Sequence, residues 1–152
     1  MCGVLISAEL DHTFDEAAYD VVRNRGGGDC FWLAMEHFTG VGVQTAKAGI
    51  LNVPWDEEYK PRLLGQLLKG AWAEDEAIAA VCKHLGYNII VYDCPRRCRL
   101  LYSMPSNHKT ALLKLDNGHF EAIRPVEMCT VRAIAQALRR TDKDVLAVLL
   151  PL

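Results

Sequence analysis

Phe14, Ala17, Ala18, Val21 and Val22 recur at helical spacing behind Thr13-Phe14-Asp15-Glu16, which has the S/T-x-x-E form of a capping box. The spacing predicts a helix over 14–24, stopped by Gly26, Gly27 and Gly28. A second helix opens at Cys30 and runs to Gly40, and a third over 43–50 is closed by Asn52-Val53-Pro54. Pro61 suits the first turn of a segment that reaches Leu68 before Gly70. The clearest helix covers 72–86. Acidic Glu74, Asp75 and Glu76 crowd its start, Lys83 and His84 occupy its last turn, and Ile78, Val81, Cys82 and Leu85 form its apolar stripe.

After Gly86 the pattern changes. Asn88-Ile89-Ile90-Val91-Tyr92 is a β-branched run that reads as a buried strand, followed by a turn over 93–97 and a second strand over 99–102. Segments 111–115 and 119–123 flank Asp116-Asn117-Gly118, a strong hairpin signal. Two more helices are expected over 131–140 and 144–149. Helices, then strands, then helices make an α+β plan: one small, largely antiparallel sheet flanked by helices, in a single domain over 1–152.

A chain of 152 residues can bury one real core. A net charge of −2 gives no electrostatic reason to expect nucleic acid, and no apolar run has the length of a membrane span. The opening Met1-Cys2-Gly3-Val4-Leu5-Ile6 lacks the basic start and the length of a secretion signal, so the six cysteines read as free thiols in a cytoplasmic setting. Cys94 and Cys98 are separated by three residues, without a second Cys/His pair at finger-like spacing, so no metal is expected. Arg96, Arg97 and Arg99 form a small basic patch without interleaved aromatics, which reads as a solvated turn.

The stretch that points to chemistry is Gly26-Gly27-Gly28-Asp29-Cys30. A thiol opening a helix feels the positive end of the macrodipole, and glycines beside it let backbone N–H groups turn toward a developing oxyanion. Such a nucleophile needs a base. His37 lies on the same helix, but seven residues at about 1.5 Å rise put it roughly 10 Å from Cys30. His84 is explained by the end of its helix, and His12 and His108 sit in polar segments. His119 stands at the mouth of the 116–118 turn, with Glu121 on the same face of the expected strand, where a carboxylate can orient an imidazole.

With these residues in view the chain resembles the ovarian-tumour (OTU) cysteine proteases. Gly28-Asp29-Cys30-Phe31-Trp32 is similar to their nucleophile motif, Gly118-His119-Phe120-Glu121 to their histidine motif, and 72–92 to the helix and strand between them. The resemblance covers about 25–125 and looks most like compact viral members. It implies hydrolysis after the Gly-Gly end of ubiquitin or a ubiquitin-like protein, together with processing of a viral polyprotein, in the host cytoplasm and without a cofactor. Carried over by position, Cys30 is the nucleophile, His119 the base and Glu121 the orienting residue. Gly27, Gly28 and Asp29 form the oxyanion loop, and Trp72, Phe120 and Gly118 form the substrate wall. The family usually carries Asp three residues before its cysteine, where this chain has Gly27, so the loop backbone is left to stabilise the oxyanion. Glu121 replaces the commoner Asp or Asn, which leaves a Cys–His dyad open beside the triad. A papain-like polyprotein or leader protease without ubiquitin activity and an inactive OTU-like binding module are the alternatives.

Overall fold

The computed structural model of the chain describes residues 3–126. Its strands are β1 (Leu5–Glu9), β2 (Tyr19–Val22), β3 (Tyr87–Asp93), β4 (Cys98–Ser103), β5 (Lys109–Asp116) and β6 (His119–Pro125). Its helices are α1 (Cys30–Thr39), α2 (Val43–Leu51), α3 (Lys60–Leu67) and α4 (Asp75–Leu85). The strands form one sheet in the order β1-β4-β3-β5-β6-β2. β3 and β5 run parallel at its centre, and every other neighbouring pair is antiparallel. The expected α+β plan with a largely antiparallel sheet is therefore the fold found. The helices expected over 131–140 and 144–149 lie outside the described residues.

Alternation along β3 divides the core. Ile89 and Val91 face the helices and pack with Phe31, Trp32, Met35, Ile78 and Val81, whereas Ile90 and Tyr92 face the opposite side with Leu112 and Ile123. From Asn88 to Asp93 β3 is buried throughout, as a central strand covered on both faces must be.

The helix expected over 14–24 does not form. Asp15 caps a single 3-10 turn over Glu16–Ala18, with the Ala17 N–H donating to Asp15 Oδ1 at 3.1 Å. Tyr19–Val22 then extends and pairs with Ala122–Pro125 of β6. The expected capping box is not what forms: Asp15 rather than Thr13 is the cap, and it serves one turn, while the Thr13 hydroxyl accepts from Arg97 at 3.4 Å. Tyr19, Val21 and Val22 favour an extended backbone, and the exposed edge of β6 supplies their hydrogen bonds. β1, read only as the start of the chain, is the other edge strand and pairs with β4.

The helix expected from residue 72 begins at Asp75. Gln66, buried on α3, supplies its start: Gln66 Oε1 accepts the N–H groups of Glu74 and Ala77 at 2.9 Å, while Gln66 Nε2 donates to Glu76 Oε1 at 2.8 Å. That bond holds the Glu76 carboxyl below the usual carboxylate range. The arrangement also fixes both ends of the 68–74 segment, which crosses the loop before α1.

Candidate active site

Gly26 and Gly27 have φ of +76° and +81°, a region that side chains disfavour, and they turn the chain so that α1 starts at Cys30. The Cys30 N–H closes on the Gly27 carbonyl at 3.2 Å. Gly28 lies so close to Gly70 that a Cβ there would overlap the Gly70 carbonyl. The loop therefore owes its shape partly to a segment forty residues away.

The histidine half is built differently. Asn117 and Gly118 have φ of +52° and +77°, as in a two-residue hairpin turn with left-handed central positions, and Asp116 pairs with His119 across it. The pleat then puts His119 and Glu121 on one face, with His119 Nε2 at 3.6 Å from Glu121 Oε2. Phe120 points the other way, into the core against Phe31.

The two halves meet at the thiol. Cys30 Sγ accepts the Phe120 N–H at 3.3 Å and donates to the Gly118 carbonyl at 3.8 Å, so it is held between the peptides that flank His119. The Nδ1–Cε1 edge of the His119 ring faces Gly26, in the cysteine loop, and the Nε2 edge faces Glu121. Cys30 is buried, and burial pushes its thiol up, against the lowering effect of the Phe120 N–H. The adjacent Asp29 charge adds to the rise.

Trp72 is half-exposed and covers Gly118, approaching within 3.8 Å of where a Cβ would stand. Beside Gly118 and Phe120 opens a cavity of about 510 Å³, with Val91 and Leu100 in its floor and Glu74 and Asp75 on its rim. Cys30, His119, Glu121, Gly118, Phe120 and Trp72 thus lie in one neighbourhood. Asp29 is engaged elsewhere: its Oδ1 takes an ion pair from Lys47 Nζ at 2.8 Å. The remaining histidines stand apart, with His37 and His108 exposed, His12 against Tyr92, and His84 against Gly49. Cys94 and Cys98 are free thiols, and the described residues include no cluster of three potential metal ligands.

Two contributors escaped the sequence reading. Asn24 Oδ1 accepts the Gly26 N–H at 2.8 Å, while Asn24 Nδ2 donates to the Phe120 carbonyl at 2.9 Å and approaches the Cys30 carbonyl at 3.4 Å. One amide thereby joins the cysteine loop, the start of α1 and the histidine strand. Lys47 is the other. Its position beside Ala46 and three residues before Ile50, on the buried stripe of α2, was the available signal, because a lysine there requires a buried counter-charge.

No family model matches the chain. In sequence it is 44% identical over 135 residues to the RNA replication polyprotein of Blueberry scorch virus, a match covering 89% of the chain. It is 33% identical over 153 aligned positions to that of Apple stem pitting virus, a match covering 97% of the chain. The chain spans only 7% of the length of either polyprotein. In structure it is similar to the viral OTU domain protease from Dera Ghazi Khan virus, with a TM-score of 0.59 at 15% identity over 84% of this chain and 92% of that one. An OTU domain solved in complex with ubiquitin gives 0.55 at 13% identity over 69% of each chain. The Hazara virus OTU bound to ubiquitin gives 0.51 at 16% over 82% and 90%. Among the described residues no helix is long and apolar enough to cross a membrane. The chain therefore has the fold of the OTU-domain proteases, in a sequence akin to one segment of viral replication polyproteins.

Proposed function

We propose that the chain is a cysteine protease that hydrolyses the bond after the C-terminal Gly-Gly of ubiquitin or a ubiquitin-like protein, with Cys30 as nucleophile and His119 as general base. The observation that carries this reading is the seating of Cys30 Sγ between the peptides flanking His119, with Glu121 at the far edge of the ring. Burial pushes the thiol up, against the lowering effect of the Phe120 N–H, so the reaction calls for a base at the sulfur. His119 takes its proton as sulfur attacks the scissile carbonyl, then returns it to the departing amine. The resulting thioester is hydrolysed by water. Glu121 orients the ring and stabilises its cationic form. Oxyanion stabilisation falls to the N–H groups of the 27–29 loop, since Gly27 stands where an aspartate would be expected. The site acts in the host cytoplasm.

The kinship with replication polyproteins supports a second substrate, a junction in the precursor that carries this segment. A panel of a fluorogenic ubiquitin C-terminal substrate, ubiquitin-like counterparts and precursor-junction peptides tests both. Ubiquitin hydrolysis that disappears in Cys30→Ala and falls about 10²–10⁴-fold in His119→Ala is the expected result. Glu121→Ala should lose less, and a loss equal to that of His119→Ala would mean an obligatory triad. Cleavage of junction peptides alone would make the chain a processing protease without ubiquitin activity. Cleavage of nothing would favour a binding module.

A further inference from the structure

Lys47 is almost wholly buried, on the apolar stripe of α2, and the reaction as proposed gives it no part. Burying an ammonium costs several kcal/mol unless it is well paired, and an apolar side chain of similar length would pack there without that cost. Its partner is Asp29, whose side chain is about one-fifth exposed and stands immediately before the nucleophile. Asp29 is the residue ahead of α1, yet its carboxylate makes no hydrogen bond to the helix it precedes. It is committed to Lys47 instead, and the same ammonium lies 5.5 Å from the Trp32 ring centre. The pair ties α2 to the first turn of α1 on both sides of Cys30.

We propose that Lys47 is a positioning residue for the nucleophile: it cancels the Asp29 charge beside Cys30 and pins the peptide from which the thiol projects. Without it, a bare carboxylate one residue from Cys30 would oppose thiolate formation and compete for the positive end of the helix dipole. The charged and titratable groups around the thiol come from three elements: Asp29 in the loop, Lys47 on α2, and His119 with Glu121 on β6. Only the first two form a fixed pair that takes no part in proton transfer. The proposal rests on Cys30 being the nucleophile, but not on any choice of substrate.

The rate at which iodoacetamide alkylates Cys30 is therefore followed against pH by mass spectrometry of the Cys30 peptide, in the full chain. Lys47→Met should raise the midpoint by about one pH unit, which is about a tenfold slower reaction below it. Asp29→Asn should move the midpoint down, because the ammonium is then left uncompensated. The double variant should return close to the wild-type profile. A purely structural pair predicts no opposite shifts. Unchanged midpoints, shifts in the same direction, or a Lys47→Met shift that persists in the double variant would overturn the proposal. Should Lys47→Met fail to fold, the direction of the Asp29→Asn shift decides alone. Opposite shifts without ubiquitin hydrolysis would leave this proposal standing and the substrate reading overturned. Ubiquitin hydrolysis without the shifts would do the reverse.

Discussion

The cysteine loop and the histidine hairpin lie against each other, but their shapes have different origins. The hairpin is specified within itself: Asn117 and Gly118 take the left-handed conformations of a tight turn, and the register Asp116–His119, Lys114–Glu121 follows from it. The cysteine loop is specified from outside. The Gly70 carbonyl sits against Gly28, Asn24 bridges the loop to the Phe120 carbonyl, and Lys47 holds Asp29. The histidine is thus presented by local rules, whereas the cysteine depends on three separate segments arriving together. Substitutions remote from the thiol in sequence should therefore damage the cysteine half more than comparable changes damage the hairpin.

The largest test of that contrast is a pair of glycine substitutions. Gly28→Ala sets a methyl group against the Gly70 backbone, which has no flexible end to give way, so the two loops must separate. A loss of about 1–3 kcal/mol in stability is expected, with hydrolysis falling further than unfolding explains because the thiol shifts. Gly118→Ala has 3.8 Å of room to Trp72 and pays only for its left-handed backbone, about 1 kcal/mol. Denaturant midpoints and residual activity of the two variants measure the difference; equal effects would break the comparison.

A smaller effect is expected at Asn24. Asn24→Ala removes the amide that spans the loop and the strand, so kcat should fall by on the order of tenfold to a hundredfold with KM within about twofold. Asn24→Asp keeps the acceptor for the Gly26 N–H and loses the donor to the Phe120 carbonyl. If that donor aligns the halves, Asn24→Asp should be as slow as Asn24→Ala. Activity near wild type in Asn24→Asp would assign Asn24 to the loop alone.

The same division governs how much of the molecule was legible in its sequence. The hairpin, α1 and β3 follow from signals carried by their own residues: a turn dipeptide, glycines at helix ends, a β-branched run. β2 was misread because Phe14, Ala17, Ala18, Val21 and Val22 satisfy a helical period, and only the waiting edge of β6 decides for strand. β1 was missed for a related reason, since its partner lies some ninety residues away in β4. At the site, Cys30, His119 and Glu121 were visible as residue types suited to their chemistry. Asn24 was not, because an asparagine before a glycine run reads as ordinary turn chemistry, and its value depends on where Phe120 comes to lie. Lys47 carried a readable clue, a cation on a buried stripe, but nothing local pointed to Asp29 as its partner.

The central claim is that these two halves make a nucleophilic site for the tail of ubiquitin. Its most direct test is the reaction of the intact chain with ubiquitin bearing a cysteine-directed electrophile in place of its last residue. A single adduct that maps to Cys30, is absent in Cys30→Ala and is slowed in His119→Ala is the result predicted. No adduct with the wild-type chain, or an adduct that survives Cys30→Ala, would contradict the claim.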